Sequence, residues 1–275
     1  LNELYKRGKC NEKYLETLEN EAEVIVKVSE RLGQDMSAYY NTAKRLIEIM
    51  WDKGNSLVGA SRGSAMAFLS NWLLDITQID PIPYEIPYWR HLSANRPELP
   101  DVDIDTEGFK RDQILEAMKE EFGYDRVLNI CTYGTEGTKS AILTAARGLG
   151  IENDIGLYLT GMVPQERGFD WSLHDMVEGN KAKGRRPVAK FVEEIQKYPG
   201  WLETAYSIEG LVTKRGSHAA GVYFFNDDYT SMNAMMKTPA GLPVTQWDMN
   251  ESDMLGGLKF DFLSVEALDK IRACM

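Results

Sequence analysis

Residues 98 to 108 read ELPDVDIDTEG and set Asp101, Asp103 and Asp105 at alternate positions. In an extended strand successive side chains point to opposite faces, so the three carboxylates share one face while Val102 and Ile104 turn to the other. Same-face neighbours lie about 6.6 Å apart, and at an effective dielectric near 20 each adjacent pair repels by about 2.5 kcal/mol. Solvation lowers that cost to well under ~1 kcal/mol, so a polar, water-covered strand face is one reading. Aspartate is depleted in strands, however, and the same spacing suits two divalent cations about 4 Å apart, held by carboxylates from adjacent positions and from a neighbouring strand. A DxD pair alone is weak evidence for that chemistry.

Two other stretches supply the missing parts. In GLKFDFLS (257–264), Leu258, Phe260 and Phe262 alternate inward, which leaves Lys259 and Asp261 on the opposite face. Seen alone, that pair is best read as a salt bridge worth under about 1 kcal/mol. In GASRGSA (59–65) a short apolar strand, LVGA (57–60), leads through Arg62, Gly63 and Ser64 into an apolar helix. A guanidinium, free backbone N–H groups and a hydroxyl at a helix start suit a polyphosphate tail, whereas the plainer alternative is a tight turn with Ser64 as N-cap. A Gly-Ser turn, a DxD strand and a later lone aspartate form the order of parts in nucleotidyltransferases of the DNA polymerase beta type. Phosphoryl transfer asks a protein for little beyond metals, phosphate clamps and positioning.

Such residues need a sheet and elements to brace it. Tyr14, Leu18, Ala22, Ile25 and Val28 predict a helix ending near Gly33, and Tyr40, Ala43, Ile47 and Met50 predict a second. Ile114, Leu115, Met118 and Phe122 mark another, followed by a buried strand in RVLNICTY (126–133). Residues 80–100 are proline-punctuated and irregular. From 135 to about 210 the pattern is helical, with a basic loop KAKGRRP (181–187) and no convincing strand. Strand signals return in GVYFF (221–225), VTQW (244–247) and GLKFDFL (257–263), before a helix from Ser264. The expected fold is α+β: a mixed sheet that brings the 57–60, 101–105 and 257–263 strands together, helices on one face, and a helical insertion. Carboxylates so far apart in sequence can share metals only if their strands are neighbours.

Composition sets bounds. The 275 residues, 43% apolar and 10% aromatic, suffice for a large core. No run approaches the ~18 apolar residues of a membrane span and LNELYKRGKC has no signal-peptide core, which suggests a cytoplasmic protein. Cys10, Cys131 and Cys274 lack CxxC spacing and read as plain thiols. The net charge of -11 argues against a wholly basic nucleic-acid binder, although cation sites need carboxylates and local basic patches still bind phosphate. His91 and His174 show no ligand spacing and read as structural or exposed; His218 reads as a turn histidine packed near the sheet rather than a nucleotide contact.

The motifs resemble one family, the bacterial C-family replicative DNA polymerases, the alpha subunit of DNA polymerase III. VGASRGSAMAFL resembles VGPGRGSxxGSL, ITQIDPIPY resembles ITxIDPLxY, and RPELPDVDIDTEGFKRDQI resembles PDxDxDF followed by a charged helix. YGTEGTKSAI is similar to FGTMAAKAVI, GSHAAGVYF to an HAxG segment, and TQWDMNESDMLGGLKFDFLSVEALDKI to TQFDxxxxExxGLxKFDFLGLxxLxxI. The ordered blocks run from about residue 57 to the end. Departures are GAS for a GPG turn, AMA where small residues and glycine are usual, Thr106 for phenylalanine and Ser264 for glycine, which suggest a divergent lineage, phage or Gram-positive.

By this resemblance Asp101, Asp103 and Asp261 are the catalytic and metal-binding residues for two Mg2+ ions, with Mn2+ as substitute, and Asp105 is a neighbour. Arg62, Gly63 and Ser64 would cradle a dNTP, helped by Arg90, Arg96 and Lys259. Residues 1–134 and 209–275 would form a palm of the polymerase beta type and 135–208 an all-helical thumb, contacting primer-template DNA through Lys139, Arg147, Lys181, Lys183, Arg185 and Arg186. A PHP-type segment would precede this stretch; fingers, a clamp-binding region and an OB domain would follow it, so the fragment alone should not turn over. In the full-length protein a sliding clamp and other replisome subunits are expected partners, and no membrane is. The resulting function is template-directed nucleotidyl transfer to a primer 3'-hydroxyl. A template-independent nucleotidyltransferase of the same plan, or a fragment that only binds DNA, are the alternatives.

Overall fold

The computed structural model describes residues 1–255 and 258–275. In chain order the elements are α1 (Asn2–Lys6), α2 (Glu12–Leu32), α3 (Met36–Asp52), α4 (Leu69–Leu73), β1 (Asp103–Thr106), α5 (Arg111–Phe122) and β2 (Val127–Thr135). Then come α6 (Thr138–Gly148), α7 (Asn153–Thr160), β3 (Gln165–Glu166), β4 (Phe169–Asp170), α8 (Leu173–Val177), α9 (Ala189–Ile195) and α10 (Trp201–Ile208). The chain continues through β5 (Val212–Phe224), α11 (Tyr229–Met232), β6 (Met235–Lys237), β7 (Pro243–Thr245), α12 (Met249–Met254), β8 (Leu258–Ser264) and α13 (Glu266–Cys274). Gly257, the first residue of the expected 257–263 strand, lies outside the described residues. Two compact units result: Leu1–Cys131 with Ser217–Met275, and Thr132–Gly216.

In the first unit the long helices start on side-chain caps. Asn11 accepts from the Tyr14 N–H at 3.4 Å, and Asp35 accepts from the Ser37 N–H at 2.9 Å; α2 stops where Gly33 turns left-handed at φ 63°. The sheet is mixed, in the order β1-β8-β5-β2-β7-β6 among the described residues. β8 lies between β1, to which it is parallel, and β5, to which it is antiparallel. Ile104, Val222, Phe224, Phe260 and Phe262 are buried in one cluster with the apolar stripes of α2, α3 and α5. Tyr39 of α3 stacks on Phe260 with ring centroids 5.4 Å apart, and Phe122 of α5 meets Phe224 edge-on at 5.4 Å. Burying that face against helices leaves Asp103, Asp105 and Asp261 on the other.

Four local expectations change. Residues 57–60 are not a strand: Val58 makes an isolated bridge to Thr106 and the Gly59 N–H donates to the Asp105 carbonyl at 2.9 Å. The rest of that backbone is taken elsewhere, since the Leu57 N–H donates to the Glu107 carboxylate and the Ala60 carbonyl accepts from Gln78 N–H at 2.7 Å. Nor does the Gly-Ser turn run straight into a helix. A single 3-10 turn, Ala65–Ala67, is followed by extended Phe68 and then by α4. The break has a cause on α2, where buried Glu21 accepts the N–H groups of Leu69 and Ser70 at 2.6 and 2.8 Å and so starts a new helix there. Finally, Asp101 precedes β1 rather than lying in it, and His218 lies within β5 rather than at a turn, its Nδ1 accepting from Gly221 N–H at 2.7 Å.

The second unit has its own core, centred on Ile142, Ala145, Leu159, Leu173, Phe191, Ile195 and Trp201, with the Trp201 indole N–H on the Ile142 carbonyl at 2.9 Å. It is not all-helical. β3 and β4 pair antiparallel through a two-residue turn, Arg167 and Gly168, at φ 52° and 85°. Positive φ at both turn residues matches the twist of a tight hairpin, and Arg-Gly is a weaker signal for it than Asn-Gly.

Candidate active site

Parallel pairing of β1 and β8 puts Asp103 directly opposite Asp261. One carboxylate oxygen from each of Asp101, Asp103 and Asp261 lies within 4.8 Å of the others. Asp101 is exposed, Asp103 half-buried and Asp261 buried. Just before Asp101 the backbone is tied down, because the buried Tyr39 hydroxyl donates to the carbonyl of Pro100. Burial raises the Asp103 carboxyl above the ordinary range; nearby Asp101 and Asp261 push it further, Arg62 opposes them and Asp105 adds to the rise. Burial, then the same three carboxylates of the trio, also raise the Tyr39 hydroxyl.

Glycines line the acids. An added Cβ at Gly63 (φ 61°) would stand 3.3 Å from Asp103 Oδ2, and one at Gly221 3.3 Å from Asp261 Oδ1. At Gly59 it would meet the Asp105 Cβ at 2.7 Å. The Gly-Ser turn therefore lies against the carboxylate strand. Arg62 pairs with Asp105, Nη1 to Oδ1 at 2.9 Å, which makes Asp105 the anchor of Arg62 rather than a bystander. Ser64 makes no cap hydrogen bond; its Oγ faces Nδ1 of buried His91 at 3.2 Å. Ser61 Oγ in the same turn is buried with no hydrogen-bond partner. Three carboxylate oxygens that repel one another beside small residues are a hard-oxygen donor set that fits a divalent cation such as Mg2+ or Mn2+.

The remaining expected residues are dispersed. Lys259 shares the acidic face of β8 and is half-buried. Arg90 is exposed in the turn leading to His91, and Arg96 is exposed and paired with Glu98 at 2.7 Å. In the second unit Lys139 pairs with Asp170 at 2.9 Å and Arg147 bonds within its own helix. Arg185 is no free cation: it bonds buried Asp175 and Glu166 and lies over the Trp171 ring at 4.7 Å. Lys183 stands 3.7 Å from Asp175, whereas Lys181 and Arg186 are exposed. Among the residues sequence reasoning passed over, Glu107 is buried and ion-paired to Arg272, whose guanidinium holds its carboxyl below the ordinary range. Its signal was a lone acid one residue past the DxDxDT run, indistinguishable from a surface glutamate.

Residues 1–264 match the family described as the bacterial DNA polymerase III alpha NTPase domain, and the chain belongs to that family. Over 266 residues it is 54% identical to a protein named probable DNA polymerase YorL of Bacillus subtilis (strain 168), covering 96% of this chain and 20% of that one. A DNA-directed DNA polymerase of Bacillus phage SPbeta gives the same identity and coverage. The DNA polymerase III subunit alpha of Thermus aquaticus is 32% identical over 221 residues, 80% of this chain and 18% of its own length. The chain thus spans about a fifth of the length of these relatives. Among the described residues no helix is long and apolar enough to cross a membrane.

Proposed function

We propose that this chain is the palm and thumb of a DNA-directed DNA polymerase, the part that joins a dNTP to a primer 3'-hydroxyl in replication. The observation that carries the reading is the trio of carboxylate oxygens within 4.8 Å, beside a glycine whose absent Cβ leaves room next to Asp103. Asp101, Asp103 and Asp261 would hold two Mg2+ ions. When bound, the ions lower the pKa of the attacking hydroxyl and neutralise the triphosphate. Arg62, anchored through Nη1 by Asp105, turns its remaining nitrogens to phosphate oxygens, and the Gly63–Ser64 turn lies close enough to the acids to hold the same tail. The unit of Thr132–Gly216 is the thumb, with Lys181 and Arg186 as its exposed DNA-facing cations and Lys139, Arg147 and Lys183 as further contacts. Primer-template DNA and dNTP are the substrates, and a sliding clamp and replisome subunits the partners of the longer protein, in the cytoplasm.

The test is a Mn2+ titration of the chain and of Asp103→Asn, with and without dNTP. Loss of one ligand should weaken Mn2+ binding by about tenfold or more, and dNTP should tighten binding in the unsubstituted chain, since its oxygens complete the coordination. Equal Mn2+ affinity in the two proteins would make Asp103 an ordinary surface-strand residue and end this reading.

A further inference from the structure

His91 is buried, 7% exposed, beside the stacked rings of Phe68 and Tyr40, with centroids 5.1 and 6.1 Å away. Each ring nitrogen has one polar neighbour: Nδ1 lies 3.2 Å from Ser64 Oγ, and Nε2 lies 3.2 Å from Asn71 Nδ2. The direction of both bonds follows from a backbone group. Asn71 Nδ2 also donates to the Ala65 carbonyl at 2.9 Å, which orients the amide, because an amide oxygen turned that way would face a carbonyl oxygen. The second hydrogen of Nδ2 then points to Nε2, which must accept. Asn71 Oδ1 is buried without a partner, so the residue is present for its donors at the expense of an unmet acceptor. A neutral imidazole that accepts at Nε2 carries its proton at Nδ1. Burial lowers the His91 pKa to about 4, so the ring is neutral at pH 7.

We infer that His91 is a positioning residue: through Nδ1–H it donates to Ser64 Oγ and so frees the Ser64 hydroxyl proton for a phosphate oxygen of an incoming nucleoside triphosphate. A serine left alone in this turn would spend its proton on the nearest acceptor, as serines in turns commonly do. Here the imidazole N–H takes one of the oxygen's two acceptor sites, which turns the hydroxyl proton away from His91 and leaves it for an anionic ligand that can only accept. The relay runs from the Ala65 carbonyl to Asn71, His91 and Ser64, all within the first unit, and Ser64 adjoins Gly63, where an added Cβ would stand 3.3 Å from Asp103 Oδ2. This inference rests on the nucleotide reading of the Gly-Ser turn.

Two measurements test it on the full chain. Long-range 1H–15N NMR correlations of the three histidines, assigned with His91→Phe, should show His91 protonated at Nδ1 and bare at Nε2; the reverse tautomer overturns the inference without any ligand. Second, dATP affinity with Mg2+ is measured for Ser64→Ala, His91→Phe, the double variant and His91→Asn. A hydrogen bond to a charged group is worth enough for an about tenfold loss in Ser64→Ala. His91→Phe, which suits the aromatic surroundings, should lose about as much, and the double variant no more than either. His91→Asn, whose amide nitrogen stands near the Nδ1 position, should recover most of the affinity. Unchanged affinity in either single variant overturns the inference, as does a double variant that loses the two effects in sum. If Asp103→Asn weakens Mn2+ binding while His91→Phe binds dATP normally, the relay falls and the active-site reading stands; if Asp103→Asn changes nothing, the active-site reading falls whatever the tautomer.

Discussion

Replacing Glu21 by glutamine should change the stability of the chain by an amount that depends on pH, and the sign is set by burial. Glu21 is fully buried on α2, and its carboxylate accepts from Leu69 N–H at 2.6 Å, Ser70 N–H at 2.8 Å and Ser70 Oγ at 2.6 Å. Those bonds favour the charged form, but burial outweighs them and lifts the carboxyl from 4.5 to about 7. A pKa raised on folding means that the native state binds the proton more tightly. The contribution to stability is therefore whole below pH 4.5 and is lost as pH rises through 7. The gap of 2.5 pH units, at 1.36 kcal/mol each, amounts to about 3.4 kcal/mol, of which about 2.5 kcal/mol disappears between pH 5 and 8. Depressed carboxyls such as Glu107 and Asp170 act in the opposite sense, so the useful quantity is the difference between the two proteins. Urea unfolding of both at pH 5, 6, 7 and 8 should show wild type losing about 2.5 kcal/mol relative to Glu21→Gln across that range. A difference that stays constant with pH would mean that the three hydrogen bonds outweigh burial and Glu21 remains charged.

Two substitutions probe packing around the site and in the second unit. Gly59→Ala drives a Cβ to 2.7 Å from the Asp105 Cβ and should cost about 1–3 kcal/mol while displacing the partner of Arg62; a melting temperature equal to wild type would show that the 57–60 segment yields freely. Arg185→Ala leaves buried Asp175 with only Lys183 and Asn180 and should destabilise the chain by about 2–4 kcal/mol, whereas Lys181→Ala with Arg186→Ala should leave unfolding unchanged and lower the salt slope of duplex-DNA binding by about 1.8. A stable Arg185→Ala, or an unaltered slope in the double variant, would reverse those assignments.

Where period and burial coincide, the sequence was a sufficient guide. The alternation of Leu258, Phe260 and Phe262 correctly put Asp261 on the face away from the core, because one side of β8 has helices against it. The helices capped by Asn11 and Asp35 were legible for the same reason, a 3.6-residue stripe with a stop at Gly33. What failed was governed by partners distant in sequence. A helix was expected directly after Ser64, but Glu21, 48 residues before Leu69, claims the N–H groups that would have continued it. A strand was expected at 57–60, but Glu107 and Gln78 take its backbone groups. His91 had no motif to betray it, since its value lies in meeting Asn71 and Ser64, from which it is separated by 20 and 27 positions. The hairpin at 165–170 was missed because Arg167 occupies a positive φ that sequence scanning reserves for Asn or Gly.

The place of β8 in the sheet bears on how this protein comes into being on the ribosome. β8 slots between β1 and β5, so a chain synthesised only as far as β7 has two strands with facing open edges and no Asp261. Joining Asp103 to Asp261 closes a loop of 158 positions, an entropic cost of about 4.5 kcal/mol that only the finished interior can offset. The open slot is also the edge most able to recruit a stray strand, and the carboxylates on β1 make that edge a poor template for one. The acidic trio is thereby a late product of folding: a nascent or misassembled chain lacks the third carboxylate, and Asp101, Asp103 and Asp261 come together only with the completed sheet.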